Sequence, residues 1–423
     1  MDEMACGQGE GPGRRGISRM RISQARLESL RVQNYRVLRD VHFANLQPLT
    51  VLLGANGSGK STLFDVFAFL SECYSLGVRS AWEKRNRFAQ LRSRGADGPI
   101  RIEIRYREAA RGRVLTYTLA IDEEANVPAV VEERLRWTRG SAGRPADILH
   151  VRRGEGDVVP GDAPDEATTR ETFRLDAPDL LAVNALGQFQ NHPRVSALRR
   201  FILGWHVSYL STQSGRASVE PGPQPHLSSS GDNLPNVVQF LLENDPKRLE
   251  DIFKRLARRI PQLERVEPER MTDGRLLLQL KDRPFAEPIL AKFASDGTLK
   301  LLAYLLLLHD PQPPPFIGIE EPENFLYPRL LRDLIEECGI ASAHSQLFVT
   351  THSPELLDAL DPVQVFLLRR ADNGYAQATR LSEIPGLKDF LEAGALLGDL
   401  WMQGQFSPPR QGGARALPDE GAQ

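Results

Sequence analysis

The sequence predicts an α/β fold, with a mixed-sheet core beside an antiparallel lobe and a helical lobe. Three patterns carry that prediction. Leu49 to Leu70, LTVLLGANGSGKSTLFDVFAFL, passes from a continuous apolar run through a glycine-rich turn into a helical apolar face. Ile100, Ile102, Ile104 and Tyr106, then Leu115, Tyr117, Leu119 and Ile121, alternate with polar residues, as half-buried antiparallel strands do. Two later apolar runs, 316–319 and 347–349, read as short strands that end in carboxylates and in Thr350, Thr351 and His352.

The 423 residues are 41% hydrophobic and 26% charged, the balance of an ordinary globular chain. That length suits one large domain with insertions, or two to three smaller ones. No apolar run approaches the roughly 18 residues that span a bilayer. The start, MDEMACGQGEGPGRRGISRMR, lacks the apolar core of a secretory signal. Cys6, Cys73 and Cys338 show no metal or disulfide spacing, which fits a reducing, cytoplasmic setting. A net charge of −2 and a pI near 6.5 do not indicate a globally basic nucleic-acid binder. Basic residues nevertheless cluster at Arg79, Lys84, Arg85, Arg87, Arg92 and Arg94, and again at Lys247, Arg248, Lys254, Arg255, Arg258 and Arg259. Each cluster reads equally as a local basic face or as an ordinary solvated one.

In chain order, residues 1–22 are Gly- and Arg-rich without periodicity and read as a disordered tail. LESLRVQNYRVLRDVHF (27–43) reads as two short strands around a turn, feeding the strand before the glycine-rich turn. A basic polar segment (79–98) precedes the antiparallel lobe, at about 100–160. The pattern turns helical from Asp176 to Trp205, with a strand candidate HVSYL at 206–210. Residues 213–235 are rich in Gly, Pro and Ser and read as a surface loop. A helical region from Asn236 to about Ile260 breaks before Pro246. The helical insertion thus spans about 176–265. Thr272-Asp273-Gly274 turns between two short strands. The half carrying 290–370 completes a head that runs from 23 to 405, and 406–423 reads as a second disordered tail.

Gly54 to Ser61 match the G-x-x-x-x-G-K-[ST] phosphate loop. Glycines at 54, 57 and 59 let the backbone bend tightly and approach a ligand. The N–H groups of Asn56, Gly57, Ser58, Gly59 and Thr62, at the mouth of a helix, can then point at an anion. Lys60 reaches the β- and γ-phosphates, and the Ser61 hydroxyl can ligate Mg²⁺. With a β-rich run before it and an amphipathic helix after it, this stretch predicts nucleotide binding.

Such a loop needs a partner that holds the metal and activates water, and PPFIGIEEPENFLYP (314–328) offers one. Glu320 would hold the metal and Glu321 would polarise the attacking water. His352, at the end of LFVTTHSPELL, can sense a γ-phosphate. Ser295, Asp296 and Gly297 precede a strongly apolar helix whose N-terminus can bind an anion; a plain N-cap accounts for them as well.

Taken in order, these motifs resemble the ABC-type ATPase heads of the RecF, SMC and Rad50 group, in the compact RecF-like or AAA_21-type branch. SLRVQNYRVLRDVHF leading into GANGSGKST, the SDGT segment, IEEPENFLYP and TTHSPELLDAL carry the likeness, and GALLGDLWMQGQF also looks like that branch. The resemblance implies ATP and Mg²⁺ as ligands, Glu321 as catalytic base and His352 as switch histidine. It places Ser295 and Gly297 where a signature motif reads the γ-phosphate bound to a second subunit, so a head-to-head homodimer on ATP is implied. This sequence departs from the usual pattern in three places: Glu320 for Asp, SDGT for SGGQ, and Tyr327 for His. Gln188, Gln190 and Gln213 are all candidates for the Q-loop. Long SMC-style arms are not expected between Lys60 and Ser295, nor a Toprim nuclease after His352, where no Asp-x-Asp pair occurs.

Two roles follow. One is an ATPase of DNA maintenance or repair, gripping DNA through its basic clusters. The other is a scaffold or sensor that controls a separately encoded effector, such as the nuclease of an anti-phage system. A transporter ATPase fits less well, because no membrane-coupling segment is recognisable.

Overall fold

The structure, a computed structural model, describes residues 25–109, 112–138, 145–161, 169–210 and 214–406. β1 (Arg26–Tyr35) and β2 (Leu38–Phe43) form a hairpin, and β3 (Leu49–Leu53) is buried along its whole length. After the glycine turn come α1 (Lys60–Ser75) and two short helices, α2 (Val78–Glu83) and α3 (Phe88–Leu91). An antiparallel run follows: β4 (Ile100–Arg107), β5 (Val114–Glu124), β6 (Val127–Trp137), β7 (Ala146–Arg152), β8 (Glu155–Val158) and β9 (Glu171–Arg174). Helices α4 (Ala182–Leu186) and α5 (Pro193–Leu203) lead into β10 (Trp205–Ser208). Then come α6 (Leu234–Asn244), α7 (Pro246–Arg259), β11 (Leu263–Arg270), β12 (Leu276–Asp282) and β13 (Ile289–Leu290). The last third holds α8 (Asp296–Leu308), β14 (Phe316–Glu320), α9 (Pro328–Ala341), β15 (Gln346–Thr351) and α10 (Pro354–Leu357). It ends with β16 (Val365–Arg370), β17 (Ala376–Arg380), α11 (Leu387–Glu392) and α12 (Leu397–Met402).

The central sheet runs β10-β14-β15-β3-β16-β17. Its first five strands are parallel, and β17 is antiparallel to β16. Because successive side chains point to opposite faces of a strand, each strand feeds two cores. Phe316 and Phe348 face α1, where the Phe67 ring lies 4.6 and 5.2 Å from theirs. Ile317, Ile319, Leu347 and Val349 face the other way and join α8 and α9 in a second cluster. Gly318 makes room on the α1 side: a Cβ there would sit 3.1 Å from Phe64. Helices on both faces explain why these strands read as unbroken apolar runs.

The antiparallel sheet, in the order β2-β1-β4-β5-β6-β7-β8-β9, packs against the α1 side. It is wider than 100–160, because β1 pairs with β4 at one edge and β9 continues the other as far as Arg174. The helices of 176–265 divide between the two cores. Residues of α4 and α5 join the α1 cluster, whereas α6 and α7 join α8 and the small β11-β12-β13 sheet. The apolar pattern shows that each helix has a buried face, but not which core receives it.

The tail expected over 1–22 lies outside the described residues. Of 406–423, only Phe406 is described, and it is a core residue, 3% exposed and stacked on Trp401. Among the described residues no helix is long and apolar enough to cross a membrane.

Candidate active site

The glycine turn bends through left-handed backbone and is closed on itself by Lys60. Gly57 and Gly59 take φ values of +79° and +113°, which favour glycine. Gly54 is confined differently: a Cβ there would lie 2.4 Å from Ser58 Oγ and 2.7 Å from the Leu368 carbonyl. Lys60, only 4% exposed, folds back to donate from Nζ to the Gly54 carbonyl at 2.7 Å. The same Nζ lies 3.3 Å from Glu321 Oε1. Ser58 Oγ is buried with no hydrogen-bond partner.

The parallel register sets Glu320 beside Thr350, and Thr351 beside Leu53, so β14, β15 and β3 deliver their tips to one place. Glu321 adopts φ +41°, a left-handed conformation costly for a non-glycine residue and disfavoured before Pro322. Its N–H is anchored by the Thr350 hydroxyl at 3.0 Å and the Thr350 carbonyl at 3.2 Å. Strain of this kind persists where the surrounding structure over-determines it, as functional sites do. Asn324 donates to the other Glu321 oxygen at 3.3 Å.

His352 comes next on β15's side. Its Nδ1 lies 3.8 Å from Glu321 and 3.2 Å from Glu323. Glu323 has the larger hold. Its Oε1 accepts from Thr351 Oγ1 at 2.9 Å and from the His352 N–H at 2.7 Å. Pattern matching singles out the adjacent pair Glu320 and Glu321 and passes over Glu323, although it sits in the same EEPE stretch. A carboxylate immediately after a proline, aimed back at a strand tip, has no local signature.

Ser295, Asp296 and Gly297 do not join this cluster directly. Ser295 caps α8 by accepting from the Thr298 N–H at 3.2 Å, and Asp296 pairs with Arg216 at 2.6 Å. They meet the site through the 321–326 turn: a Cβ on Gly297 would lie 2.9 Å from the Phe325 carbonyl. Lys300, one turn along α8, donates to the Asn324 carbonyl at 2.7 Å. Burial lowers its ammonium to about 8, with Glu323 and Glu321 pulling the other way.

A cavity of about 1060 Å³ opens beside the phosphate loop, with Ser61 and Glu320 in one wall. Ser61 and Glu320 thus offer one hydroxyl and one carboxylate. Among the described residues no cluster of three or more His, Cys, Asp or Glu side chains is set to hold a metal ion. That donor set suits Mg²⁺, which takes one or two carboxylates and completes its shell with phosphates and water.

The cavity also takes in part of the first basic cluster. Lys84, Arg85, Arg92 and Arg94 line it, so part of this cluster forms a wall of the cleft, whereas Arg79 and Arg87 lie outside that wall. Arg85 is buried between Asp65, at 2.7 Å, and Glu72, while Arg79 pairs with Asp179 at 2.8 Å. The second cluster is largely neutralised too. Arg255 and Arg259 converge on Glu337, Arg248 pairs with Asp245, and Lys254 with Glu250. Of that cluster, Lys247 and Arg258 alone carry no ion pair among the described residues. Of the Q-loop candidates, Gln188 donates to the Asn184 carbonyl and sits with Gln190 between α4 and α5, and Gln213 falls outside the described residues.

A family model described as "AAA domain, putative AbiEii toxin, Type IV TA system" matches residues 49–358. The chain belongs to this AAA-domain family. The match begins with β3 and ends just after α10, so every site residue above lies inside it, whereas α11 and α12 lie outside. No curated protein matches the sequence. Among solved structures, an SMC head bound to the C-terminal winged-helix domain of ScpA superimposes with a TM-score of 0.51 at 14% identity, over 84% of this chain and 97% of that one. An SMC head from Pyrococcus furiosus, bound to the C-terminal domain of ScpA, gives 0.46 at 13% over 88% and 100%. The SMC head domain of Thermotoga maritima gives 0.41 at 13% over 84% and 98%. On the first of these superpositions, this AAA-domain protein shares its fold with an SMC head domain.

Proposed function

We propose that this chain binds ATP with Mg²⁺ and hydrolyses it at the tips of β3, β14 and β15. The observation that carries this is the convergence of Lys60, Glu321 and His352 within 4 Å of a shared carboxylate oxygen, Glu321 Oε1. Gly54 to Thr62 would cradle the phosphates through backbone N–H groups, with Lys60 exchanging the Gly54 carbonyl for phosphate oxygens. Ser61 and Glu320 would hold Mg²⁺, which neutralises charge on the β- and γ-phosphates when bound. Glu321 would polarise the attacking water and His352 would contact the γ-phosphate. Turnover by the wild type that disappears in Lys60→Ala is the expected result; a wild type without turnover would sink the proposal.

The same reading includes a head-to-head homodimer on ATP. Ser295 to Gly297 would reach the nucleotide of the second copy, and Phe293, Phe325 and Tyr327 beside them are 71%, 65% and 65% exposed. Large exposed aromatics around one motif support a partner surface there. Glu321→Gln should accumulate as an ATP-bound dimer by light scattering, and a variant that stays monomeric with ATP would count against the sandwich.

In the cell, the first role would be DNA maintenance or repair through DNA held on the dimer. The second is a scaffold that controls a separately encoded effector in anti-phage defence. The internal pairing of Arg85, Arg255 and Arg259, the most buried of those cations, favours the second, and so does a family description that includes a toxin–antitoxin system. ATP turnover with and without duplex DNA, at low and moderate salt, separates them. Stimulation that fades steeply with salt supports DNA as the ligand, and indifference to DNA supports the effector.

A further inference from the structure

The segment Leu397 to Phe406 lies outside the family match, yet it is seated on the turn that carries His352. Leu397 and Leu400 are buried in the same core as Leu356 and Leu357 of α10. The Gly398 N–H donates to Asp358 at 2.8 Å. Contact there is tight: a Cβ on Gly398 would lie 2.5 Å from the Pro354 carbonyl and 2.7 Å from Asp358 Oδ1. One turn on, the Trp401 indole N–H donates to the His352 carbonyl at 3.2 Å, and its ring stacks on Phe406. Arg369, at the end of β16, donates to the Phe406 carbonyl at 3.4 Å and ties the segment back to the central sheet.

His352 is therefore held at both ends of its own backbone. Glu323 takes its N–H, and Trp401 takes its carbonyl. Its imidazole is 43% exposed, so side-chain packing alone does little to aim it. Beside the Nδ1 contact with Glu323 at 3.2 Å, the peptide groups on either side fix where the ring starts.

We propose that Trp401 is a positioning residue for His352, which makes the C-terminal α12 a required part of the hydrolytic site. The proposal rests on the reading of His352 as a residue of the hydrolytic step. Losing one anchoring hydrogen bond loosens the ring's origin without touching the phosphate loop. The chemical step should suffer while nucleotide affinity does not.

The test uses the full chain with four variants: Trp401→Phe, Trp401→Ala, Gly398→Ala and His352→Ala. Trp401→Phe removes the N–H and keeps a ring to stack on Phe406. It should lower kcat about three- to tenfold, the span of one typical hydrogen bond. KM and the affinity for a fluorescent ATP analogue should stay within about twofold, and the melting temperature should hold. Gly398→Ala, which pushes α12 off α10, should lower kcat further with the same unchanged KM. A merely structural role would instead move stability and affinity together and would spare Trp401→Phe. Wild-type kcat in Trp401→Phe, with His352→Ala inactive, overturns the proposal and leaves the site intact. Wild-type turnover in His352→Ala overturns the role given to His352, and that variant alone reports it.

Discussion

Replacing Glu323 with alanine should damage both the stability of the site and its chemistry, and the structure sets the size of each effect. Glu323, 9% exposed, accepts from Thr351 Oγ1 and from the His352 N–H, and its carboxylate lies 3.2 Å from His352 Nδ1. Thr351 is fully buried, so its hydroxyl would lose its acceptor where water cannot easily replace it. An unsatisfied buried donor costs about 1–3 kcal/mol, and the half-exposed His352 end adds little because solvent reaches it. Loss of about 2 kcal/mol in urea unfolding is the expected outcome. The His352 N–H would be freed at the same time, so kcat should fall by about tenfold or more, with nucleotide affinity retained. Glu323→Gln keeps an acceptor for Thr351 and the His352 N–H, and it should recover most of the stability. Equal urea midpoints and equal turnover for Glu323→Ala and wild type would refute the argument that this carboxylate organises the β15 tip.

Gly54→Ala should abolish nucleotide binding, because the new methyl would sit 2.4 Å from Ser58 Oγ and 2.7 Å from the Leu368 carbonyl. Titration with a fluorescent ATP analogue checks this, and wild-type affinity would contradict it. Glu337→Ala should cost about 3–5 kcal/mol in chemical unfolding, since it strands Arg255 and Arg259 beside a nearly buried site. A loss below about 1 kcal/mol would mean that the two guanidiniums find solvent. Glu133 supplies a pH test. Burial raises its carboxyl to about 7, against donation from the Ala182 and Val183 N–H groups and the Tyr117 hydroxyl. The folded chain then keeps a proton that the unfolded chain has released. Its contribution is fully present below about pH 4.5 and is lost as pH rises through 7, about 3 kcal/mol in all. The stability of Glu133→Gln relative to wild type should therefore improve by about that much between pH 4.5 and 8. A gap that does not change with pH would refute it.

What was legible in the sequence, and what was not, divides by the range of the interaction. The phosphate loop, the tips of β14 and β15 and the β4-β5-β6 alternation were readable because backbone conformation and side-chain period set them within a dozen residues. Glu320 and Glu321 could be marked at a strand end for the same reason. Glu323 could not, because its partners lie about 28 residues away across a parallel register. The cationic clusters show the same limit more strongly. Arg255 and Arg259 on one helix look like a groove-facing stripe until α9 packs beside them and supplies Glu337, 82 and 78 positions further on. Arg85 meets its acids on α1 only because α2 folds back against that helix. A run of arginines fixes how much positive charge a surface could carry, whereas the acids brought by the fold decide how much remains. In the second cluster the fold leaves Lys247 and Arg258 without an ion pair among the described residues, and the other four are matched by acids. Lys247 and Arg258 are the direct check. Changing both to glutamate should leave ATP turnover intact, and it should abolish any DNA stimulation if that stimulation runs through α7. Stimulation that survives the double change would show that it does not run through α7.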